Sequence, residues 1–564
     1  MKALRFLYLY AAVMLAISCS DERGFDYNRL NRQAAREYLI PIRSGYQGRM
    51  PFWNEFAYKF TYAPAFDFEE KEGASGYRFT VRYLNDVNDG KKTYYRAGMS
   101  VPTLEETLAT LPDMKEGRTW TFTADSPKAD LSPIWADIPA GNVALLVEAL
   151  DKDGNVLADV GARRFLRDFP FQGPYHEAVR PYLEAARMAG MYVHTLPFIR
   201  YWMEHGTPDP SFKHNSYVCK TGGGTIDLEV KMAALIPERK DEFLAVARKV
   251  ADFMISVSQG EDAPLAHFPP TYYKDFIRVA VENSGQTMTM EPTLAATAYL
   301  NLFDATAEGR YFDEALAIAR TYRRIQCADG SFPIKMYEAT GEPVNGVKAS
   351  PYGLLSLWRR FDSQYGVTEF RDNVALGEKW MYEVALPGFN LTGQFEDVGV
   401  NGLKPFQNLT NVTYAFYAKY IYEKGNLTEE DEALCRDLLA LAEDQFVYWD
   451  LLKYADGFKM SVNPCVFEQY QYQTPIDGSA SNMVQAYLAQ YHATGDKLAL
   501  AKAKALADAC TIAQDPNTGR SNTHWEVVSH EADKGRLIWI NCTSRVMDIW
   551  IRMDAELNGN KTDK

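Results

Sequence analysis

The 564-residue sequence lacks the motifs of a metalloprotein and of a disulfide-stapled scaffold. Its seven cysteines are scattered and form no C-x-x-C pair, and neither an H-E-x-x-H nor a calcium-loop motif is present. The sequence therefore predicts no essential metal, no cofactor and no disulfide framework. Cys435 and Cys510 lie inside helical patterns, where we expect them to be small core residues.

An excess of positive charge is also absent. Lysine and arginine number 60 against 74 aspartates and glutamates, which gives a net charge of −14. Without a basic stripe to displace phosphate counterions, nucleic acid is not an expected partner. Beyond the N-terminus, no apolar run approaches the length that a membrane span needs.

The N-terminal segment has the pattern of an export signal. Residues 1–18, MKALRFLYLYAAVMLAIS, combine a basic start with an apolar run. The end of this segment, AIS before Cys19, resembles a bacterial lipobox, and the SDE that follows resembles the acidic tag of surface-exposed Bacteroidetes lipoproteins. This resemblance implies acylation of Cys19 and a firm anchor in the outer membrane, surface-exposed or facing the periplasm, with residues 19–50 as tether and linker. The alternative is a secreted protein with an incidental Cys19.

Residues 51–168 show the two-residue alternation of β-strands. The candidate strands are FAYKFTYA, GYRFTVRYL, TWTFTA, NVALLVEALD and NVLADVGARRF, with DKDGN at 151–155 as a hairpin turn. The run IPAGNVALLVEALDKDGNV resembles the last hairpin of fibronectin type III or immunoglobulin-like modules. The region is therefore predicted to be a β-sandwich domain, and FPFQGPY marks its boundary near 168–175.

Residues 175–557 repeat a helical hairpin. One example pairs an apolar helix from Glu291 with a second helix in which Tyr311, Ala315, Ile318, Ala319 and Tyr322 share a face. The first helices of the hairpins begin near 225, 290, 350, 410, 479 and 544, a spacing of roughly 60 to 70 residues. The last has no partner after it, and the helix at 175–189 has none before it, so the two can close on each other. The pattern predicts a mainly α (α/α)6 toroid, followed by a polar tail at 558–564.

The lengths of the connections locate the expected site. Turns within hairpins are short, whereas those between hairpins, as at 259–289, 327–349, 387–409, 450–478 and 515–543, run to about 20 to 30 residues. Alternation puts all the long connections at one end of the toroid. We expect the functional residues there.

Acids at this end are the candidates for catalysis. Hydrolysis of a glycosidic bond needs a proton donor and a base or nucleophile on opposite sides of the bond. The candidates are Asp227, Glu291, Glu396, Asp397 and Asp477. Each acid also has a structural explanation. Asp227, Glu291 and Asp477 stand at helix starts, where they can cap the helix or interact with its dipole. Glu396 and Asp397 can belong to a solvated loop tip.

A second group of residues has the chemistry to bind a sugar. Rings can stack on a sugar face, an acid among aromatic neighbours suits a general acid, and basic side chains can pair with a substrate carboxylate. These residues are Tyr272, Tyr273, His524, Trp525, Glu468, Arg520 and Lys220. The three glycines at 222–224 fit neither a P-loop nor a dinucleotide fingerprint, so they indicate loop flexibility or close backbone approach.

The combination of these features resembles a family. A lipoprotein with an N-terminal sandwich and a C-terminal toroid resembles the carbohydrate-active enzymes of polysaccharide utilisation loci. The segments FPPTYY, DGSFP and PIDGSASN are similar to those of the glycoside hydrolase family 154 β-glucuronidases, and more distantly to the unsaturated glucuronyl and rhamnogalacturonyl hydrolases, which normally lack the sandwich. The resemblance implies an exo-acting glycoside hydrolase that removes a uronic acid or related sugar from a glycan. It assigns no catalytic residue to a position here.

Two alternatives remain open. A polysaccharide lyase on the same scaffold would use a tyrosine or histidine base, for which Tyr272, Tyr273 and His524 are the candidates. A non-catalytic glycan-binding lipoprotein of the helical-repeat type would show a repeat of about 34 residues. The hairpins here recur at nearly twice that distance.

Overall fold

The computed structural model describes residues 24–43, 54–84, 102–273, 284–394, 403–450, 462–470, 472–525 and 538–559. The helices are α1 (Tyr27–Glu37), α2 (Leu104–Leu108), α3 (Ser132–Trp135), α4 (Tyr182–His194), α5 (Pro197–His205), α6 (Gly223–Leu235), α7 (Lys240–Val257), α8 (Pro292–Thr306), α9 (Gly309–Ile325), α10 (Tyr352–Tyr365), α11 (Arg371–Trp380), α12 (Asn411–Glu423), α13 (Glu429–Phe446), α14 (Asp477–Thr494), α15 (Lys497–Ala513) and α16 (Ile540–Asn558). The strands are β1 (Lys59–Phe60), β2 (Gly76–Tyr83), β3 (Thr119–Ala124), β4 (Gly141–Leu150), β5 (Val156–Arg167), β6 (Gln286–Met288), β7 (Lys335–Tyr337), β8 (Val447–Tyr448), β9 (Cys465–Gln469) and β10 (Tyr472–Pro475). In this part of the chain, no helix combines the length and the apolar character needed to cross a membrane.

Six of the helices form a closed ring. In the order α6, α8, α10, α12, α14, α16, each packs against the next, and α16 packs against α6. Five outer helices, α7, α9, α11, α13 and α15, each follow and cover the preceding inner helix, while α4 covers α16. The predicted closure between the last helix and the one before the ring is confirmed, and the helical part of the chain has the arrangement of an (α/α)6 toroid.

The outer helices show why the sequence folds this way. In α9, the predicted face of Tyr311, Ala315, Ile318, Ala319 and Tyr322 is buried, so the helix covers α8 along one stripe. The tight turns between inner and outer helices use left-handed residues. Gly366 and Gly495 end α10 and α14 with φ of 71° and 72°, which glycine adopts without steric cost.

All the long connections lie at one end of the ring. Each of the inner helices α8, α10, α12, α14 and α16 is preceded by one of them, and each of α6, α8, α10, α12 and α14 is followed by a short turn, as at 236–239 and 495–496. Two small antiparallel sheets form within the long connections, β6 with β7 and β9 between β8 and β10. The predicted alternation is therefore confirmed. Cys435 and Cys510 are buried in α13 and α15, as expected of small core residues.

The N-terminal strands form one five-stranded sheet in the order β1-β5-β4-β2-β3. The predicted hairpin is confirmed, because β4 and β5 pair antiparallel around a turn in which the Asp151 carboxylate accepts from backbone amides of Asp153 and Asn155. Within residues 54–84 and 102–168 no second facing sheet is found, so the predicted sandwich is not confirmed. Leu131, Ile134, Trp135 and Ile138, at helical spacing around α3, are buried against the sheet core instead.

Part of the predicted tether is folded. Helix α1 lies within residues 19–50, and the Asp26 carboxylate caps it by accepting from the amide of Arg29. Tyr27, Leu30 and Ala34 follow helical spacing and are buried in the same core as the ring. The prediction of a linker is wrong for this stretch, because its apolar stripe binds the toroid.

Candidate active site

A cavity of about 910 Å³ opens at the end of the ring where the inner helices begin. Residues from the first turns of all six inner helices, or from the connections just before them, line it. The long connections thus surround a single depression, which is where the sequence predicts the functional residues. In the described residues no cluster of three histidines, cysteines or acids has the geometry to hold a metal ion.

Close packing of α6 against α16 forms one wall of the cavity. A Cβ atom on Gly224 would lie 2.7 Å from the Cα atom of Asn541, so only glycine permits this approach. Of the two predicted explanations for the three glycines, close backbone approach holds for Gly224 and, at 3.3 Å from the Leu294 carbonyl oxygen, for Gly223. Just before them, a π-helical turn, Val218–Gly222, carries Lys220 into the cavity lining.

Glu291 and Lys220 form an ion pair in the cavity lining. The Glu291 carboxylate lies 3.1 Å from the Lys220 ammonium, and the Glu291 residue is only 1% exposed. Glu291 immediately precedes α8, yet its side chain makes no capping hydrogen bond to that helix. A helix cap therefore does not account for this acid.

Glu468 also lines the cavity. It lies on β9, which packs against α14 and α12, and its side chain is half-buried. Helix α14 is three places from α8 in the ring of six. Glu291 and Glu468 thus border one cavity from segments attached to different inner helices.

The lining carries more positive than negative charge. Lys213, Lys220, Lys419 and Arg545 line the cavity together with two acids, Glu291 and Glu468. Lys419 also pairs with Glu423 at 2.7 Å, and an Arg545 guanidinium nitrogen lies 3.4 Å from the Asn482 side-chain oxygen. In a protein of net charge −14, this local excess of cations favours an anionic ligand.

Aromatic rings form an apolar face on the same side as Lys220. The His214 imidazole stacks on the Trp539 indole with ring centroids 3.9 Å apart and an interplanar angle of 23°. Tyr217 packs against the same indole at 5.4 Å, and His524 also lines the cavity. Tyr352, Phe416 and Tyr420 face it from α10 and α12. Such surfaces suit the apolar face of a sugar ring.

Three side-chain amides in the lining have buried oxygens without a hydrogen-bond partner among the described residues. The Asn411 nitrogen donates to the Ser479 carbonyl at 3.2 Å, which orients its oxygen as the open acceptor. The side-chain oxygens of Gln469 and Asn541 are also open. Buried polar atoms are nearly always paired in folded proteins, so these acceptors indicate a place for hydroxyl or N–H donors from outside the chain.

Cys542 also lines the cavity, at the start of α16. Burial is the main cause that raises the pKa of its thiol well above the usual range. A thiol in this state is a poor nucleophile at neutral pH. The chemistry of the cavity therefore belongs to its carboxylates, bases and hydroxyls.

Two of the predicted acids are engaged elsewhere. Asp227 binds Lys231, the Ser544 hydroxyl at 2.6 Å and the Asn301 amide at 2.9 Å. Burial acts to raise the pKa of Asp227, but the neighbouring lysine outweighs it and the pKa is lowered. Asp477, 1% exposed, accepts from the Gly478 amide at 2.6 Å and the Ser521 hydroxyl at 3.0 Å. Neither acid is among the residues that line the cavity.

Four predicted binding residues lie beside the cavity lining. Tyr272 packs on Tyr217 at 5.6 Å between ring centroids, and Tyr273 packs on Phe253 at 5.5 Å. Trp525 is 2% exposed and Arg520 is 9% exposed. Of the predicted residues, the cavity brings together Lys220, Glu291, Glu468 and His524. Glu396, Asp397 and Cys19 lie outside the described residues.

Sequence reasoning missed many residues of the lining, among them Lys213, His214, Lys419, Trp539 and Arg545. The predicted site residues lie in the long connections and at helix starts, whereas Lys419 and Arg545 lie within inner helices. For Arg545 a signal was available, because a basic residue in the first two turns of a predicted inner helix is close to the mouth of the ring. Lys419 is the ninth residue of α12, so this signal does not reach it.

Comparisons with known proteins give structural similarity only. No family model and no curated protein matches the chain, so the resemblance to family 154 stays a prediction. Among solved structures, the chain is similar to the cellobiose 2-epimerase of Spirochaeta thermophila, with 12% identity, a TM-score of 0.45, and coverage of 67% of this chain and 99% of that one. A family 76 glycoside hydrolase from Bacteroides thetaiotaomicron has 10% identity, a TM-score of 0.44, and coverage of 88% and 100%. An unsaturated glucuronyl hydrolase specific for heparin has 9% identity, a TM-score of 0.41, and coverage of 67% and 96%. At these values the likeness carries no conclusion about activity.

Proposed function

We propose that this protein is a glycoside hydrolase that removes a terminal uronic acid from a glycan. The observation that carries the proposal is that Glu291 and Glu468 both line one cavity whose lining has a surplus of cations. Glycosidic hydrolysis needs two carboxyl groups that flank the scissile bond. A uronate needs positive charge beside its carboxylate.

The reaction assigns a separate role to each glutamate. Glu468 donates its proton to the glycosidic oxygen as the bond from that oxygen to the anomeric carbon breaks. Glu291, held by the Lys220 ammonium at 3.1 Å, acts as the carboxylate that takes a proton from the attacking water or attacks the anomeric carbon itself. The products are the free uronic acid and the shortened glycan.

Binding of the sugar follows from the rest of the lining. Arg545 and Lys213 are positioned to pair with the uronate carboxylate, and the stacked His214 and Trp539 rings offer an apolar face. The open amide oxygens of Asn411, Gln469 and Asn541 accept from sugar hydroxyls. A cavity that opens at one end of the ring, with these groups lining it, suits an exo-acting enzyme, because it can hold a chain end.

The test measures release of monosaccharide from uronate-bearing oligosaccharides by the mature protein. We expect Glu291→Gln and Glu468→Gln each to lower kcat roughly a thousandfold, the scale of lost general acid or base catalysis. Glu314→Gln is the matched control, because Glu314 is a part-buried acid that pairs with His267 at 3.2 Å away from the cavity. Glu396→Gln and Asp397→Asn belong in the same series, since these predicted acids also remain candidates. Full activity of both cavity variants would overturn the roles assigned to Glu291 and Glu468, and glycan binding by the wild type without any turnover would overturn the hydrolase.

A lyase is the second candidate, favoured by the two histidines among the cavity cations. His214 and His524 both line the cavity with Lys220 and Arg545. In that reaction a histidine removes the proton next to a carboxylate that the cations neutralise, and the leaving oxygen departs to give an unsaturated sugar. Appearance of near-ultraviolet absorbance with the wild type, lost in His524→Ala and retained in Glu468→Gln, would decide for the lyase.

We propose in addition that the protein is exported and anchored by a lipid at Cys19. Support comes from the sequence of residues 1–22 alone. In a bacterial host, the wild type should fractionate with membranes and incorporate labelled fatty acid, whereas Cys19→Ser should do neither. Labelling of the Cys19→Ser variant would contradict the anchor.

A further inference from the structure

The strand that carries Glu468 is short and depends on its neighbours. Strand β9 has five residues and pairs with β8 through Val466 and Cys465, and with β10 through Gln469 and Phe467. Phe467 of this strand and Tyr470, which directly follows it, are 3% and 2% exposed. These two buried rings flank Glu468 and Gln469, which line the cavity. The contacts that fix the Phe467 and Tyr470 rings therefore also fix the backbone that carries the Glu468 carboxylate.

The first ring is held by the N-terminal region through Tyr58. The Phe467 ring packs on the Tyr448 ring with centroids 4.6 Å apart. The Tyr448 hydroxyl is hydrogen-bonded to the Tyr58 hydroxyl, and the Lys59 ammonium lies 4.5 Å from the centre of the Tyr448 ring. Lys59 also donates to the Val447 carbonyl at 2.9 Å. Strand β8 is therefore fixed on its outer side by residues that precede it in the chain by almost 400 positions.

The second ring is held through Asn54. The Asn54 side-chain nitrogen donates to the Tyr470 hydroxyl at 3.0 Å, and that hydroxyl donates to the Gln445 side-chain oxygen at 2.6 Å. The Gln445 nitrogen donates in turn to the Lys59 carbonyl at 3.0 Å. Asn54, Gln445 and Tyr470 are all less than 5% exposed. Buried chains of hydrogen bonds of this kind hold their members in one arrangement.

The two contacts bracket the candidate acid. Tyr58 acts through Tyr448 on the ring just before Glu468, and Asn54 bonds directly to the ring two positions after it. A general acid must lie within hydrogen-bond reach of the oxygen that it protonates, and a misplacement of about 1 Å costs roughly a hundredfold in rate. The N-terminal sheet region is thus in a position to determine how well Glu468 works.

We propose that Asn54 and Tyr58 are positioning residues for Glu468, so that the N-terminal region is a working part of the active site and not a separate module. This inference rests on the proposed role of Glu468 in catalysis. It needs no contact between the N-terminal region and the substrate. The role of the N-terminal region is to keep strand β9 rigid.

The experiment uses Tyr58→Phe, Asn54→Ala and the double variant of the full chain. Tyr38→Phe is the control, since it also removes a buried hydroxyl of the N-terminal region, whose 2.5 Å hydrogen bond goes to Glu443 and not to β9 or its flanking rings. Hydrogen–deuterium exchange of peptides over 462–470 reports on β9 directly. Steady-state kinetics with a uronate substrate report on the consequence.

We expect the double variant to exchange roughly tenfold faster over 462–470 and to lose roughly tenfold or more in kcat, with KM within about twofold of the wild type. Tyr38→Phe should leave exchange over 462–470 and kcat near the wild-type values. Unchanged exchange in the double variant, or the same changes in Tyr38→Phe, would overturn the inference. Tyr58→Phe keeps the ring and serves if the double variant does not fold.

Failure of the proposed function gives a different result. If Glu468→Gln keeps full turnover, Glu468 is not the acid, whatever the exchange over 462–470 shows. If Glu468→Gln is inactive while the double variant keeps both slow exchange and full kcat, Glu468 is the acid and the positioning role is wrong. The two variants therefore separate the two claims.

Discussion

Among the residues that the structure describes, two glutamates that are almost fully buried each pair with a lysine, and their surroundings differ. Glu443 and Glu291 are 2% and 1% exposed, and their carboxylates lie 2.7 Å from Lys502 and 3.1 Å from Lys220. Glu443 also accepts from Tyr38 at 2.5 Å, Tyr487 at 2.9 Å and Trp449 at 3.0 Å. Glu291 borders a cavity of about 910 Å³. The same chemical pair is a structural clamp where the protein encloses it, and a candidate reactive group where space is left beside it.

The pKa of Glu443 shows how completely its site is satisfied. Burial acts to raise this pKa, but the Lys502 charge and the surrounding hydroxyl and indole donors outweigh burial, so the pKa is lowered. At the cavity, in contrast, three amide oxygens of the lining lack partners among the described residues. At the seam between the N-terminal region and α13, hydrogen-bonded polar groups hold the two parts together. At the cavity, the amide oxygens without a partner among the described residues are available to a ligand.

The largest expected effect is on the enclosed pair. Glu443→Gln leaves the Lys502 ammonium buried without its counter-charge, which should lower the free energy of unfolding by about 3–5 kcal/mol. Urea denaturation measures this loss. Adding Lys502→Met should recover part of it, because the unpaired charge is removed. Glu291→Gln should cost less than half as much, since Lys220 can be solvated from the cavity; an equal loss would break the distinction between the two pairs.

A second prediction concerns the acid next to Glu443. Asp444 accepts from the backbone amides of Thr61 and Tyr62 at 2.6 and 2.9 Å, and burial, partly offset by Lys59, raises the pKa of Asp444 from 3.8 to about 6. Because the folded-state pKa is the higher one, the folded protein keeps a proton that the unfolded chain has lost between pH 4 and 6. This contribution to stability is complete below the unfolded-state pKa and is lost as the pH rises through about 6.

The measurement compares the pH dependence of unfolding in the wild type and in Asp444→Asn. Over pH 4 to 6 the wild type should lose about 2 kcal/mol more than the variant, because one pKa unit corresponds to about 1.4 kcal/mol and the loss is incomplete at both ends of this range. Asp372→Asn, at an exposed position in the first turn of α11, is the control and should follow the wild type. If Asp444→Asn retained the full pH dependence of the free energy of unfolding, the Asp444 carboxyl group would not be its source.

The ring could be predicted from the sequence because its signals are local and repeated. The predicted helix starts near 225, 290, 350, 410, 479 and 544 compare with observed starts at 223, 292, 352, 411, 477 and 540. Periodicity and turn length are properties of neighbouring residues, so one chain suffices to reveal them. The seam is different. The contacts of Tyr38 and Asn54 join residues about 400 positions apart, and no local sequence pattern predicts them.

The site was accessible to prediction only in part, for a related reason. The end of the toroid followed from loop length, and Glu291, Glu468, Lys220 and His524 were named among the candidates. Which acids face the cavity depends on the rotation of each helix and on partners such as Ser521 for Asp477 and Ser544 for Asp227. Those partners come from other hairpins. A sequence pattern can place an acid at a helix start but does not show whether a hydroxyl 44 or 317 positions away already occupies it.

The smallest expected effect separates two arginines of the same helix. Arg545 lines the cavity, whereas Arg552, seven residues further along α16, pairs with Asp548 at 2.7 Å. Arg545→Gln should raise KM for a uronate substrate roughly tenfold, or about 1.4 kcal/mol, with little change in kcat, because a bound carboxylate loses one charged partner in both the ground and transition states. Arg552→Gln should leave KM unchanged. A rise in KM for both variants would mean that the effect is one of general charge, and a loss of kcat in Arg545→Gln would move this side chain from binding into the catalytic step.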